Sequence, residues 1–252
     1  MMLRLFRTDL HVHTCLSPCG ELEMSPVRIV EGCRERGIDV IAVCDHNSAE
    51  NVKGVRDAAE GINLTVLAGM EVTTAEEVHV LSIFDSVEQA MRLQNEVYAR
   101  LLPGENDEDV FGLQVVANAS DEVEGIVKKL LIGSTTFVLS ELVERIHDLE
   151  GIAIASHIDR ESFSLIGQLG FIPDDLDVDA LEISLRGLAE EIRSRISGSD
   201  RFPFITSSDA HRLEELGRAS TTFLLEEGTV GEIRKGLRGE NGRRIVERGV
   251  SA

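Results

Sequence analysis

Short β-branched runs alternate with amphipathic stretches along nearly the whole chain, and this alternation most narrows the fold. Runs such as Val40-Ile41-Ala42-Val43 and Ile152-Ala153-Ile154-Ala155 are continuously apolar, as expected of strands covered on both faces. Strands separated by helices imply crossover connections and hence a mainly parallel sheet. The spacing predicts strands at Leu3–His13, Asp39–Cys44, Leu64–Val72, Val78–Phe84, Ile152–Ser156, Ala180–Ser184, Phe202–Ser207 and Ser220–Leu225. A helix is predicted from Ser25-Pro26 to Arg36, opened by an early proline and closed by Gly37. Others are predicted at Ala49–Glu60, Ser86–Leu101, Ser140–Leu149, Leu188–Ile196 and Thr229–Leu237. The rhythm breaks at about 103–134, where an acidic start, Glu105-Asn106-Asp107-Glu108-Asp109, gives way to Val, Ile and Lys. That stretch reads as an insertion or flap in a single α/β domain spanning residues 1–252.

Composition excludes several function classes. A hydrophobic content of 42% supplies a sizeable core, so a disordered chain is not expected. A net charge of −20 and only 4% aromatic residues, with no Trp and one Tyr, disfavour a protein that coats long nucleic acid. Bound divalent cations would invert the potential locally, so a small anionic substrate could still dock. No apolar run approaches the ~18 residues that a membrane helix needs, and Met1 to Leu10 is broken by Arg4, Arg7 and Asp9. Cys15, Cys19, Cys33 and Cys44 all lie near the start of the chain and do not read as a disulfide framework. A reducing, cytoplasmic setting is expected.

Six of the seven histidines sit at or directly after apolar runs. His11 and His13, two apart on a predicted strand, point to one face. His46 follows Val40 to Asp45, His79 sits within Glu77-Val78-His79-Val80-Leu81, His157 follows Ile152 to Ser156, and His211 follows Ile205 to Ala210. Glu71 ends the run Thr65 to Met70 in the same way. In parallel α/β folds the strand C-termini open on one face, where active sites are built, so these ligand-type residues are expected to converge. His147, in Glu144-Arg145-Ile146-His147-Asp148, lies on a predicted helix and reads as solvated or satisfied there.

Asp9-Leu10-His11-Val12-His13-Thr14, Cys44-Asp45-His46-Asn47, Gly69-Met70-Glu71, His79, Ser156-His157 and Ser208-Asp209-Ala210-His211 occur in an order that resembles the polymerase-and-histidinol-phosphatase (PHP) superfamily. The resemblance implies a distorted (β/α)7 TIM-like barrel and a trinuclear metal centre that hydrolyses phosphoesters. Carried over residue by residue, His11, His13, Glu71 and Asp209 would hold one metal. Glu71 would bridge to a second, shared with His79 and His157. His46, His211 and Cys19 would hold the third; Cys19 stands where His or Asp is commoner, and a thiolate would favour zinc or iron over magnesium. The alternative for Cys19 is a loop cysteine without a role. Cys44 replaces the usual Thr, and Ser156-His157-Ile158-Asp159-Arg160 departs from the usual Ala-His-Pro.

Such a centre suits phosphoester hydrolysis, since metal coordination lowers the pKa of water from 15.7 to about 7 and neutralises phosphoryl charge. Up to three divalent transition metal ions (Zn, Fe or Mn) are expected. Asp45 is expected to orient His46 or another imidazole by accepting its N–H, or else to be an ordinary strand-end carboxylate. Arg160 and Arg186 follow predicted strands and could grip phosphate, or be surface arginines. The leading expectation is a phosphoesterase acting on a small phosphomonoester or short nucleotide. A nuclease-like phosphodiesterase, a non-catalytic metal-binding regulatory domain, and an amidohydrolase are the competing readings.

Overall fold

The computed structural model describes residues 2–184 and 189–246. In chain order the elements are β1 (Arg4–Val12), α1 (Pro26–Glu35), β2 (Val40–Val43), α2 (Val52–Ala58), β3 (Thr65–Thr73), β4 (His79–Phe84) and α3 (Val87–Arg100). Then come α4 (Glu108–Phe111), β5 (Val115–Ala117), β6 (Val123–Ile126), α5 (Leu139–Asp148), β7 (Ile152–Ala155) and α6 (Leu165–Leu169). The last are β8 (Ala180–Glu182), α7 (Ala189–Arg195), β9 (Phe204–Ile205), β10 (Thr221–Leu225), α8 (Val230–Arg238) and β11 (Arg244–Ile245). Arg186 and Leu188, expected at a phosphate contact and a helix start, lie outside the described residues.

One sheet carries the fold, in the order β11-β10-β1-β2-β3-β4-β7-β8-β9. Seven of its strands, β1 to β4 and β7 to β9, curl into a distorted barrel. Among the described residues regular pairing does not close it; instead Val12 bridges Ala210 in parallel, and the His13 amide donates to the Ala210 carbonyl at 3.0 Å. The expectation of a mainly parallel sheet needs correction. β4 runs antiparallel to both β3 and β7, and β10 runs antiparallel to β1. Only Thr74 to Val78 join β3 to β4, too few residues for the crossover that a parallel partner requires.

Alternation along the strands sorts side chains into two cores. Val40, Ala42, Cys44, Leu67, Leu81, Ile83, Ile152, Ile154 and Ile205 fill the barrel interior. Ile41, Val43, Val66, Ala68, Met70 and Ala153 face the helices. β1 breaks this rule where it matters. Its pairing with β2 slips by one residue between Asp9 and Val12, the signature of a β-bulge. Leu10 packs inside the barrel and Val12, two residues on, packs outside. The slip thereby turns His11 and His13 inward, where unbroken alternation from Leu10 would have pointed them at the helices. Helix ends are fixed locally: Ser86 and Gln89 form a capping box on α3, an arrangement worth about 1 kcal/mol.

The 103–134 stretch contains α4 and the β5–β6 hairpin. It is tied to the barrel mouth by polar contacts. Asn51 Nδ2 donates to the Val115 carbonyl at 2.9 Å and its Oδ1 accepts from the Ala117 amide at 2.9 Å. Asn47 Nδ2 donates to the carbonyls of Leu131 and Gly133, both at 2.8 Å. Among the described residues no helix is long and apolar enough to cross a membrane.

Candidate metal centre

Each of the six strand-associated histidines reaches the same end of the barrel. His79 arrives by a different route from the others: it opens β4 rather than following a strand, and the reversal of that strand brings its first residue to the end where its neighbours finish. Thr73 of β3 pairs with His79, two residues beyond Glu71.

Glu71 is the hub. Its Oε1 lies 2.9 Å from His79 Nδ1, 3.2 Å from His157 Nε2 and 3.4 Å from His11 Nε2. Its Oε2 lies 3.1 Å from His46 Nδ1 and 3.5 Å from His13 Nε2. Asp209 Oδ1 lies 3.2 Å from His11 Nε2 and 3.1 Å from His13 Nε2. All of these residues are buried. Donor atoms of three sets fall within 4.8 Å of one another: His11, His13 and Glu71; His46, Glu71 and His79; and His13, His46 and His211. The last set has His13 where the resemblance would put Cys19. Cys19 is exposed, is in none of the three sets, and lines an outer opening beside Asp209 and His211.

Outer partners fix how the imidazoles present themselves. Ser17 Oγ donates to Asp45 Oδ1 at 2.7 Å, so its oxygen accepts from His13 Nδ1 at 2.8 Å. Glu182 Oε2 accepts from His11 Nδ1 at 3.0 Å. With both Nδ1 protons used outward, the two Nε2 lone pairs, only 3.0 Å apart, aim at the same space as Glu71 and Asp209. Acceptors facing acceptors at such distances repel unless a cation lies among them. His46 Nδ1, both ring nitrogens of His79, His157 Nδ1 and Glu71 Oε1 are also buried without an acceptable hydrogen-bond partner. This donor set fits divalent metal ions.

Electrostatics point the same way. Burial disfavours charging His11, yet the carboxylates of Asp209, Glu182 and Glu71 outweigh it and raise its pKa well above the usual value. Burial holds His13 down to about 4 and His46 well below its usual range. Burial would raise Glu71 and Asp209, but the surrounding imidazoles, His79 foremost for Glu71 and His11 for Asp209, hold both well below the ordinary range. The carboxylates favour positive charge at His11, where a divalent cation would take the place of a proton, while His13 and His46 are held neutral and Glu71 and Asp209 ionised, the forms that ligate metals.

Asp45 touches no imidazole directly. It accepts from the Thr14 amide at 2.7 Å, the Thr14 hydroxyl at 2.8 Å and Ser17, and so reaches His13 only through Ser17. Arg160 Nη1 lies 2.6 Å from Asp209 Oδ2 at the mouth, half-exposed. Asp9 anchors the loop that carries Asp209 by accepting from the Ser208 and Gly217 amides. His147 is satisfied by Asp179 at 2.9 Å, remote from the centre. Sequence reasoning missed Glu182, although its place at the end of β8 is the same strand-end signal that marks Glu71.

Comparison with known proteins agrees with this geometry. Residues 9–160 match the PHP domain model, and residues 195–241 match a PHP-associated model. The chain is 23% identical to the uncharacterized protein YqxK of Bacillus subtilis, over 94% of this chain and 63% of that one. Its fold resembles the lesion-specific endonuclease PfuEndoQ of Pyrococcus furiosus, with a TM-score of 0.66 and 18% identity over 96% of this chain and 58% of that one. It also resembles a protein named as a metal-dependent phosphoesterase from Bifidobacterium adolescentis, with a TM-score of 0.59 and 20% identity over 92% and 96% of the two chains. The chain thus spans less than two thirds of the length of YqxK and of the endonuclease. Matched over more than half its length, with the motif residues gathered at one barrel mouth, the chain belongs to the PHP domain family.

Proposed function

We propose that this chain is a metal-dependent phosphoester hydrolase acting on a small phosphomonoester or short nucleotide. The observation that carries the reading is the set of inward lone pairs and unpartnered buried nitrogens around Glu71. His11, His13, Glu71 and Asp209 would hold one metal, Glu71 with His79 and His157 a second, and His46 with His211 a third. Bound there, the ions would acidify water enough for attack at phosphorus and neutralise the phosphoryl oxygens. The chain's own residues do the rest. Glu182 and Ser17 hold His11 and His13 in the ligating tautomer. Arg160, half-exposed beside Asp209, offers its remaining guanidinium N–H groups to phosphate.

A nuclease-like phosphodiesterase is the second reading, favoured by the likeness of fold to an endonuclease. The net charge of −20 weighs against long phosphate polymers and tilts the choice to small substrates. Metal analysis of protein purified without added metal, paired with hydrolysis of 4-nitrophenyl phosphate, bis-4-nitrophenyl phosphate, nucleotides and a labelled RNA oligomer, tests both. Two to three transition-metal equivalents and preference for monoesters are expected. Processive loss of the oligomer would replace the first reading with the second.

A further inference from the structure

The cavity over the metal centre, about 580 Å³, has a wall made chiefly of imidazoles and charged groups. Ile132 and Phe163 are its only apolar side chains among the described residues, and they do not belong to the ligand machinery. The Phe163 ring stacks on the His79 ring, with centroids 4.8 Å apart and planes 20° from parallel. Its remaining surface lines the cavity, and the residue is 37% exposed.

The backbone holds this ring in place under strain. Phe163 has φ +54°, a conformation in which a bulky side chain is an outlier and glycine would be at ease. The surrounding turn enforces it. The Phe163 carbonyl accepts from the His79 amide at 2.9 Å. Ser164 Oγ donates to the Arg160 carbonyl at 2.6 Å and accepts from the Gly167 amide at 2.9 Å. The same turn sets Arg160 beside Asp209. One rigid loop therefore presents a guanidinium and an aromatic face to one cavity.

We propose that Phe163, with Ile132 lining the same cavity, is a stacking platform for the leaving group. The substrate class that fits is a phosphomonoester carrying a planar aromatic ring system, with a nucleoside monophosphate as the member whose size suits the cavity. The ring would lie on Phe163 while the phosphate reaches Arg160 and the centre. A platform of this kind is tolerant of base identity, because every base offers a π-face. This inference rests on the phosphoesterase reading above.

The test compares kcat/KM for adenosine 5′-monophosphate and for glycerol 2-phosphate in metal-loaded wild type, Phe163→Leu and Phe163→Tyr, with binding of the same compounds by calorimetry and metal content per chain. Taking the ratio between variants cancels the intrinsic reactivity of each ester. The nucleotide-to-glycerol ratio should fall about tenfold in Phe163→Leu, through KM, and be retained in Phe163→Tyr, with metal content constant. An unchanged ratio with both esters hydrolysed overturns the platform and leaves the phosphoesterase reading standing. Loss of metal in Phe163→Leu also overturns it, making Phe163 a support for His79. If neither ester is hydrolysed yet the nucleotide binds in a Phe163-dependent way, the platform stands and the phosphomonoesterase reading fails.

Discussion

Glu182 Oε2 lies 3.0 Å from His11 Nδ1 and 3.1 Å from the His157 amide, so a single buried carboxylate oxygen aligns two histidines, one on β1 and one after β7. A carboxylate behind a ligating imidazole fixes its tautomer and raises its basicity. Replacement by Gln keeps shape and an acceptor but removes the charge. Glu182→Gln is expected to weaken metal binding by tenfold or more, read by competition with a chromophoric chelator. Unaltered affinity in a folded variant would remove Glu182 from the centre.

Cys19 and His46 separate two versions of the third metal position. Cys19 lies outside the donor sets, whereas His46 belongs to two of them. Cys19→Ala should therefore retain the full metal content per chain, and His46→Ala should lose at least one equivalent. Loss of one equivalent in Cys19→Ala would bring the thiol back as a ligand.

Gly69 is required by close approach rather than by a turn. A Cβ there would lie 2.8 Å from the Ser82 carbonyl oxygen, 3.0 Å from Cys44 Sγ and 3.1 Å from the Val43 carbonyl oxygen. Two of the three obstacles are backbone atoms of neighbouring strands, which cannot swing aside. Gly69→Ala should destabilise the fold by about 1–3 kcal/mol, measured as a lowered urea midpoint. It should also disturb Glu71, two residues along the same strand.

Acid sensitivity should have a component far from the metals, at Asp179. Its nearly buried carboxylate accepts from His147 Nε2 at 2.9 Å and from the Ala153 amide at 3.0 Å. Burial alone would raise its pKa, but the His147 contact and the Ala153 N–H outweigh it and hold the pKa below the ordinary value. A carboxylate depressed in the folded state contributes stability above its unfolded pKa of about 3.9 and loses it as pH falls through the folded value. Asp179→Asn should therefore be less stable than wild type near neutrality, with the gap closing below about pH 4. Urea midpoints at several pH values, on metal-free protein, would show it; a gap that does not narrow in acid would refute the linkage.

The convergence of the candidate ligands was readable because residue type and position coincide: His46, Glu71, His157 and His211 each follow an apolar run that buries itself. The same logic placed His79 by a wrong route, since an apolar run does not announce its direction. The few residues between Thr73 and His79 were the available clue to the reversal. Glu182 escaped because a lone carboxylate at a strand end has no motif around it, and Asp45 gained a role through Ser17 that only the folded loop reveals. Phe163 lies in a turn whose strain has no counterpart in hydrophobic periodicity. In the 103–134 stretch no period was present to be read; its short hairpin is held by the side-chain amide of Asn51, and the segment after it by that of Asn47.

The one-residue slip in β1 makes the centre depend on parity as well as on chemistry. Substitutions near Asp9 and Leu10 change one side chain, whereas ironing out the bulge with every residue kept would shift the parity of everything after it. The pleat would then carry His11 and His13 out towards the helices, and Val12 in. Such a molecule could keep every ligand in its sequence and still have nowhere to gather them. For this chain, counting residues between the first strand's start and its histidines is as informative as finding the histidines themselves.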